Sequence, residues 1–440
     1  MKPSIYNFMI ENGDNYLLYN AFSDSLTVLT PVLHHLYGEH GECMDRLKEV
    51  HPGFFQHMEQ TGAIVGNEVD EAVEAVARLH DVRSKSTRFR LTVNPTMACN
   101  MRCWYCYEKK QPASISQETI RRIHLLLSEK LSAGSPYNSL LLSFFGGEPL
   151  LGYHSKAKVV LDQAEELCDR YGKEMSVHFT TNGYLITEEI LQDLDRFHTT
   201  FQITLDGNEA VHNSVKQTHA GKQTYAKTVG NIIAATKHGC NVTVRLNYTQ
   251  KSLPYFLDVI DDFEKLGKEQ QNLLSFNFQH VWQDNKSGFK ADEMEGSVHK
   301  MEREFIQAGL CVSPTSPVSF HCCYADCEDS LTVNYDGNVF RCTARDFTEA
   351  NREGFLSEQG KNVWGNNHTL RLQALQTGKA CKACSILPLC HGGCSQHKME
   401  HTGSMDACVK GFTESDKLTV VHRRIRDILL ENKLYHHQPS

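Results

Sequence analysis

The sequence is short of several things. No stretch of it approaches the roughly 18 consecutive apolar residues that a membrane-spanning helix requires. Its first residues do not combine a basic start, an apolar run and a small-residue cleavage site. Positive charge is not in excess either: 45 Lys and Arg stand against 53 Asp and Glu, a formal net charge of −8 over 440 residues. A membrane partner and a nucleic-acid partner are therefore not expected, and the expected location is cytoplasmic. With 22 % charged and 40 % hydrophobic residues the composition is that of an ordinary globular protein.

Cysteine is the exception to this restraint. There are 16, and 12 of them fall in two stretches, 99–106 and 322–408. In a long chain without a secretion signal such density points to metal binding rather than to disulfides. Cys43, Cys168, Cys240 and Cys311 stand alone and read as small buried hydrophobes.

Three zones follow one another, with a tail. Residues 1–85 hold the strand-like runs "IYNFMI", "YLLYN" and "SLTVLT" and two apolar helical patterns, a small α+β unit without obvious chemistry. From 88 to 310 strands and helices alternate. "RFRLTVNP", "LLLSFFGG", "MSVHFTTNG", "TFQITLDG", "NVTVRLNYT" and "LLSFNFQHV" are each followed by a helical pattern. The first of these helices opens on a capping-box reading, Ser114 to Gln117. Six such units predict an α/β fold, a parallel sheet covered by helices, either open or a partial (β/α)6 barrel. The zone 320–412 is turn-rich and cysteine-rich, with a hairpin signalled by Asp336-Gly337. Residues 413–440 are a C-terminal helix and tail.

Chemistry on such a sheet belongs at the C-terminal ends of the strands. The motifs fall there. Cys99, Cys103 and Cys106 follow the first strand, Gly146-Gly147-Glu148-Pro149 the second, Thr180-Thr181-Asn182-Gly183 the third and Leu205-Asp206-Gly207 the fourth. Three thiolates are one too few for a closed zinc site, whose fourth ligand is lacking nearby. On a [4Fe–4S] cube they hold three irons and leave the fourth with an open coordination position.

The Cys-x3-Cys-x2-Cys spacing, with aromatic Tyr105 before its last cysteine and "GGEP" after the next strand, resembles the signature of the radical S-adenosylmethionine (SAM) superfamily over about 88–285. The resemblance implies that SAM chelates the open iron and that a reductive C–S cleavage yields a 5′-deoxyadenosyl radical. It implies contacts to SAM from Tyr105, from Gly146 and Gly147 with Glu148 and Pro149, from Thr181, Asn182, Thr204 and Asp206, and from Asn247 at the end of the fifth strand. Asn182 and Asp206 precede glycines, and a turn residue is the alternative reading of each. Many relatives place an arginine after the "LDG" strand; here 207–227 contains only Lys216, Lys222 and Lys227. The cation that meets the SAM carboxylate is left open.

The later cysteines, Cys327, Cys342, Cys381, Cys384, Cys390, Cys394 and Cys408, resemble the SPASM domain of radical SAM peptide-modifying enzymes. That resemblance implies two auxiliary [4Fe–4S] clusters, three clusters in all. One takes Cys381, Cys384, Cys390 and Cys408. The other takes Cys327, Cys342, Cys394 and either Cys322 or Cys323, with spacing favouring Cys322. Zinc-ribbon ligation is the alternative for 381–394.

The resemblance implies a peptide or small-protein substrate and a low-potential electron donor such as flavodoxin or ferredoxin. Two reactions compete: a thioether, C–C or C–O crosslink in a ribosomally made peptide, and the oxidation of Cys or Ser to formylglycine by anaerobic sulfatase-maturating enzymes. The latter resemble one another in an aspartate directly after the cysteine matching Cys342, where this chain has Thr343. The N-terminal zone reads as a leader-peptide recognition unit, offering a strand edge, or as a structural cap. An iron–sulfur carrier or scaffold without SAM chemistry is the reading from another class. No catalytic acid or base is assigned; His321, Arg345 and Asp346 flank the late cysteines.

Overall fold

The computed structural model describes residues 1–41, 44–287, 291–313, 322–401 and 406–435. Cys43 and His321 lie outside them. The chain divides into two bodies, one formed by the described residues of 1–85, 316–328 and 370–440, the other by those of 86–315 and 329–369. The cysteine-rich stretch is split: 329–369, with its hairpin and Cys342, belongs to the second body, the rest to the first. Among the described residues no helix is long and apolar enough to cross a membrane.

The first body starts with a three-stranded antiparallel sheet, β1 (Asn7–Asn12), β2 (Asn15–Asn20) and β3 (Ser25–Leu29), with β2 in the middle. Helices α1 (Pro31–Glu39), α2 (Met44–Val50), α3 (Pro52–Gln60) and α4 (Glu71–Ser84) follow. Two start as capping chemistry requires: Thr30 accepts from the Leu33 amide before α1, and Asp70 from the Val73 amide before α4. Alternation along β2 sends its side chains to two cores. Leu18 joins Met44, Leu47, Phe54, Phe55 and Met58 on one side. Leu17 and Tyr19 join Tyr6 and Ala75 on the other, and there the C-terminal part of the chain closes the core with Ile386, Leu387, Val421 and Ile425. The last two sit on the helix Glu414–Tyr435.

The second body is built on β4 (Arg88–Val93), α5 (Gln117–Leu131), β5 (Ser139–Phe144), α6 (Ala157–Tyr171), β6 (Glu174–Thr181), α7 (Glu188–Leu194), β7 (His198–Leu205), α8 (Glu209–Val215), α9 (Tyr225–Lys237), β8 (Asn241–Tyr248), α10 (Leu257–Phe263), β9 (Leu274–His280) and α11 (Ala291–Gln307). The six strands are parallel and adjacent in the order β9-β8-β7-β6-β5-β4, as the alternation predicts. The sheet does not end at β4. It continues through β10 (Ser330–Val333), which pairs parallel with β4, and then antiparallel through β11 (Asn338–Phe340), β12 (Gly354–Leu356) and β13 (Asn362–Trp364). The hairpin signalled by Asp336-Gly337 is β10–β11, closed by an Asn334 amide to Asn338 carbonyl bond of 2.9 Å. Helix α5 begins two residues later than its capping box suggests, with Ser116 Oγ accepting from the Thr119 amide.

The strands are not apolar on both faces. In β6 from Val177 on, and along β7 and β8, every second residue is buried, and the residues between are polar: His178 and Thr180, Gln202 and Thr204, Thr243, Arg245 and Asn247. One face packs against the helices through residues such as Phe179, Phe201, Ile203, Val244 and Leu246. The other is a polar lining, with His178 bonded to Thr200 at 2.8 Å and to Thr180 at 3.2 Å.

Candidate active site

The cysteine loop leaves β4 and is pinned from several sides. Met97 donates its amide to the Ala113 carbonyl at 3.0 Å, and Lys110 Nζ donates to the Met101 carbonyl at 2.6 Å. Met101–Arg102 pairs antiparallel with Gln217–Thr218, a two-stranded ribbon tying the loop to the segment after α8. His219 closes it: Nδ1 accepts from Arg102 Nε at 2.9 Å, so Nε2 carries the proton and donates to the Cys99 carbonyl at 2.8 Å.

The Gly-Gly pair is explained by that loop. A Cβ on Gly147 would stand 2.3 Å from the Ala98 carbonyl oxygen and 2.5 Å from that of Met97; one on Gly146, whose φ is +102°, would stand 2.6 Å from the Thr96 oxygen. The amides of Gly147 and Glu148 donate to Thr96 and Ala98 at 3.1 and 2.9 Å. Glycine is required here because two backbones touch.

Glu148 is 1 % exposed and acts as a clasp. Its Oε1 accepts from Thr181 Oγ1 at 2.6 Å and the Leu150 amide at 3.0 Å, and its Oε2 from the Asn182 amide at 2.9 Å. Burial pushes its pKa up, and these bonds with distant Lys216 work against the shift. Thr181 also accepts from the Gly183 amide, while Asn182 donates to Asn100 at 2.8 Å and accepts from the Tyr184 amide. Asn182 is thus both a turn residue and a strut to the cysteine loop. Pro149 is buried beside the clasp.

The end of β7 carries a buried polar network. Asp206, 2 % exposed, accepts from the Tyr105 hydroxyl at 2.6 Å through Oδ1. Its Oδ2 has no hydrogen-bond partner and faces Lys216 Nζ at 3.6 Å. Lys216, 4 % exposed, also donates to the Thr204 carbonyl at 3.3 Å. Burial raises the Asp206 pKa, and Lys216 is the strongest opposing charge. Nearby His212 is held neutral, its pKa pushed down to about 3 by burial, so it supplies no countercharge. Lys222 and Lys227 are exposed. Of the three lysines after the "LDG" strand, Lys216 is the one turned inward, a placement that its sequence neighbours do not announce.

Beside this network lies a cavity of about 200 Å³, bordered by Tyr105, Asp206, Asn247, Thr249, Tyr255 and Val281 among others. Asn247 accepts from Arg245 Nε at 2.8 Å. Tyr105 stays a neutral phenol, its pKa pushed well up by burial and by Asp206.

The three thiols lie together, half-buried, in one loop. Burial raises the pKa of each; Lys110 is the main opposing charge at Cys99 and Cys106, and Lys216 at Cys103. Each also raises a neighbour's, so the trio is within mutual electrostatic reach. Among the described residues no group of side chains closes around a single metal ion; soft sulfur donors within electrostatic reach of two lysines suit the wider, anionic iron–sulfur cluster, which would deprotonate the thiols it binds. In the first body burial raises the thiol pKa of Cys381 and Cys390, and Cys384 and Cys408 add to the shift at both; Cys381, Cys384 and Cys390 pack on the core of Tyr6 and Tyr19. Cys322 is half-buried, its thiol drawn down to about 7 first by Cys327, with Arg83 adding to the shift, whereas Cys323 is exposed. Cys394 belongs to that body and Cys342 to the other. Cys168 and Cys240 are buried as expected and Cys311 is half-buried.

Two groups escape the sequence reading. Arg245 faces the polar lining, a placement readable from its two-residue spacing with Thr243 and Asn247. Tyr107 stacks on Trp282 at 5.4 Å and donates to the Thr343 carbonyl at 2.6 Å, and Arg345 lies over the Trp282 ring at 5.5 Å. Asp346 is engaged by Asn351 at 2.6 Å, Thr348 at 3.2 Å and Lys109 at 3.6 Å.

A parallel α/β sheet with a three-thiol loop on its rim, beside a buried Tyr–Asp–Lys network, is a site of the strand-end type whose sulfur donors suit an iron–sulfur cluster. Residues 93–250 match the Radical SAM superfamily. That stretch, a little over a third of the chain, is a radical SAM domain. It is 23 % identical over 337 residues to a serine-type anaerobic sulfatase-maturating enzyme of Klebsiella aerogenes, covering 68 % of this chain and 78 % of that one. Its fold is similar to that of native anSMEcpe with bound AdoMet (TM-score 0.57, 16 % identity, 78 % of this chain and 97 % of that one). It is also similar to Streptococcus suis SuiB bound to precursor peptide SuiA (TM-score 0.51, 14 % identity, 90 % and 96 %).

Proposed function

We propose that this enzyme cleaves SAM reductively at a [4Fe–4S] cluster held by Cys99, Cys103 and Cys106 and modifies a side chain of a ribosomally synthesised peptide, forming a thioether, C–C or C–O crosslink. The carrying observation is the thiol trio within electrostatic reach of Lys110 and Lys216, next to the Tyr105–Asp206 cavity. When bound, the cluster supplies the electron that breaks the SAM sulfonium bond and so delivers a carbon radical able to take hydrogen from unactivated carbon.

The chain's own residues bind and orient. Lys216 is the cation for the SAM carboxylate, and Asp206 keeps one oxygen free for a ribose hydroxyl while Tyr105 fixes the other. The cavity beside Tyr105 takes the adenine. Thr181, Asn182 and Glu148 hold the loops in register. Cys381, Cys384, Cys390 and Cys408 ligate one auxiliary cluster, and Cys327, Cys342, Cys394 and Cys322 a second. Either offers an outlet for the electron released when the new bond forms, and flavodoxin or ferredoxin would supply the first. The outer edge of β3, with Val28 exposed, suits leader recognition by strand addition.

The identity to the Klebsiella aerogenes enzyme favours formylglycine formation as the second reading. Against it stand Thr343 after Cys342 and the engagement of Asp346 by its neighbours. Anaerobic incubation of reconstituted enzyme with SAM and dithionite is expected to release 5′-deoxyadenosine, and a Cys103→Ala enzyme to release none. Absence of product from the parent enzyme ends the radical reading. Prompt formylglycine formation on a sulfatase-type Cys or Ser peptide would install the second one.

A further inference from the structure

Arg245 is a half-buried guanidinium in a sheet, and such a charge ordinarily has an anion beside it. This one has none. Among the described residues no carboxylate comes within ion-pair distance of it, and its one hydrogen bond is from Nε to Asn247. Among the described residues its two terminal nitrogens meet no acceptor, and a guanidinium is a planar fork suited to two parallel bonds with a carboxylate. Burial disfavours its charge, and the acid nearest in effect, Asp206, is already matched by Lys216.

The strand register shows what surrounds it. Arg245 stands opposite Asn277 on β9, and Asn247 opposite Gln279, so four amide or guanidinium groups make a two-by-two patch at the strand ends. Gln279 donates to Asn277, which orients the patch. Thr204 flanks Arg245 on β7. Tyr107 is close enough to act on the Arg245 charge, and the Tyr107–Trp282–Arg345 stack adds a second guanidinium over an aromatic wall. Two arginines, amide donors and aromatic faces, with no acid among the patch residues, are a receptor for an anionic side chain.

We propose that Arg245 anchors a carboxylate-binding subsite on the polar face of the sheet, and that the peptide segment held there for modification carries an aspartate or glutamate. This rests on the peptide reading above and names the chemistry of its substrate. The carboxylate of SAM is the other source of the same group, and the SAM-affinity arm of the test separates the two.

The test uses anaerobically purified, reconstituted enzyme with SAM present. Two probes are applied: a synthetic hexapeptide library in which Glu-containing members are matched by Gln-containing ones, and the single residue N-acetylglutamate amide matched by N-acetylglutamine amide. Retention is read by mass spectrometry, and SAM affinity by the change SAM induces in the electron paramagnetic resonance of the reduced cluster. The parent enzyme is expected to retain the acidic members about tenfold better than their amide twins, the scale of a desolvated charge pair. Arg245→Gln abolishes that preference, Arg245→Lys keeps part of it, and both variants bind SAM as the parent does. An acidic preference that survives in Arg245→Gln overturns the proposal. So does a loss confined to SAM affinity, which would hand Arg245 to the cofactor carboxylate. If the parent enzyme retains N-acetylglutamate amide through Arg245 but no peptide, the peptide reading falls and the subsite stands; if it retains neither probe, the subsite falls.

Discussion

At the scale of single residues the site is made of charges kept where water is scarce. Lys216 gives the sharpest consequence. Lys216→Met removes the cation beside Asp206 and Cys103. SAM affinity, followed by the spectroscopic change of the reduced cluster, is expected to fall by about tenfold or more, with Lys216→Arg restoring most of it; unchanged affinity would take Lys216 out of the site. His178 offers a pH test. Burial pushes its pKa down to about 4 from 6.5, so the folded state holds it neutral. The unfolded chain then binds the proton first on acidification. The stability His178 contributes is complete above pH 6.5 and is lost as pH falls towards 4, roughly 2 kcal/mol of it by pH 5. Denaturant unfolding at pH 7 and pH 5 should therefore show His178→Asn losing less stability than the parent by about that amount. Spacing drew attention to the cysteines, and the resemblance drew it to Tyr105 and Asp206, which the structure sets against each other at 2.6 Å. Lys216 was not legible in the sequence, because burial of a lysine depends on an aspartate ten residues away and on a ribbon to another loop.

At the scale of elements, the rim works because separate connections are pressed together. Gly147→Ala puts a methyl group into the carbonyls of Ala98 and Met97, which are backbone and cannot swing aside. The cysteine loop must move. Since displacement of about 1 Å can cost roughly a hundredfold in rate, SAM cleavage should drop by that order, with lower iron content in the first cluster; near-parent cleavage would show the contact to be slack. The glycines were recognisable as a motif, but their reason was not, since it lies in a backbone fifty residues earlier. The six strand–helix units were readable because hydrophobic period is local. That β10 would extend the same sheet beside β4 was not, as its partner is some 240 residues away, and short strands carry no mark of their neighbour. The polar lining was on view in the alternation of "NVTVRLNYT", where Thr243, Arg245 and Asn247 share one face.

At the scale of the molecule, the first body is held by residues from both ends of the chain. Arg424 on the last helix reaches Asp24 with Nε at 3.0 and 3.2 Å from its two oxygens, and Tyr19 donates to the same carboxylate at 2.7 Å. Asp24 sits at φ 57°, a left-handed conformation that aspartate tolerates better than most residues. Arg424→Ala leaves that largely buried carboxylate with Tyr19 but without a countercharge and should cost about 3 kcal/mol, read as a lower unfolding midpoint. Adding Asp24→Asn should recover part of the loss, and a cost near zero would show the pair to be ornamental. The composition and the two zones of cysteine told of several units, yet not that the first would be completed by the last. That arrangement has a price on the ribosome. Once Lys85 has been made, Tyr6 and Tyr19 must wait for Val421 to emerge, and at about 5–20 residues per second this takes roughly 20 seconds to a minute. The sheet matures while the beginning of the protein is still half-finished, so a nascent chain stalled before its final helix should present a sticky N-terminal patch to chaperones.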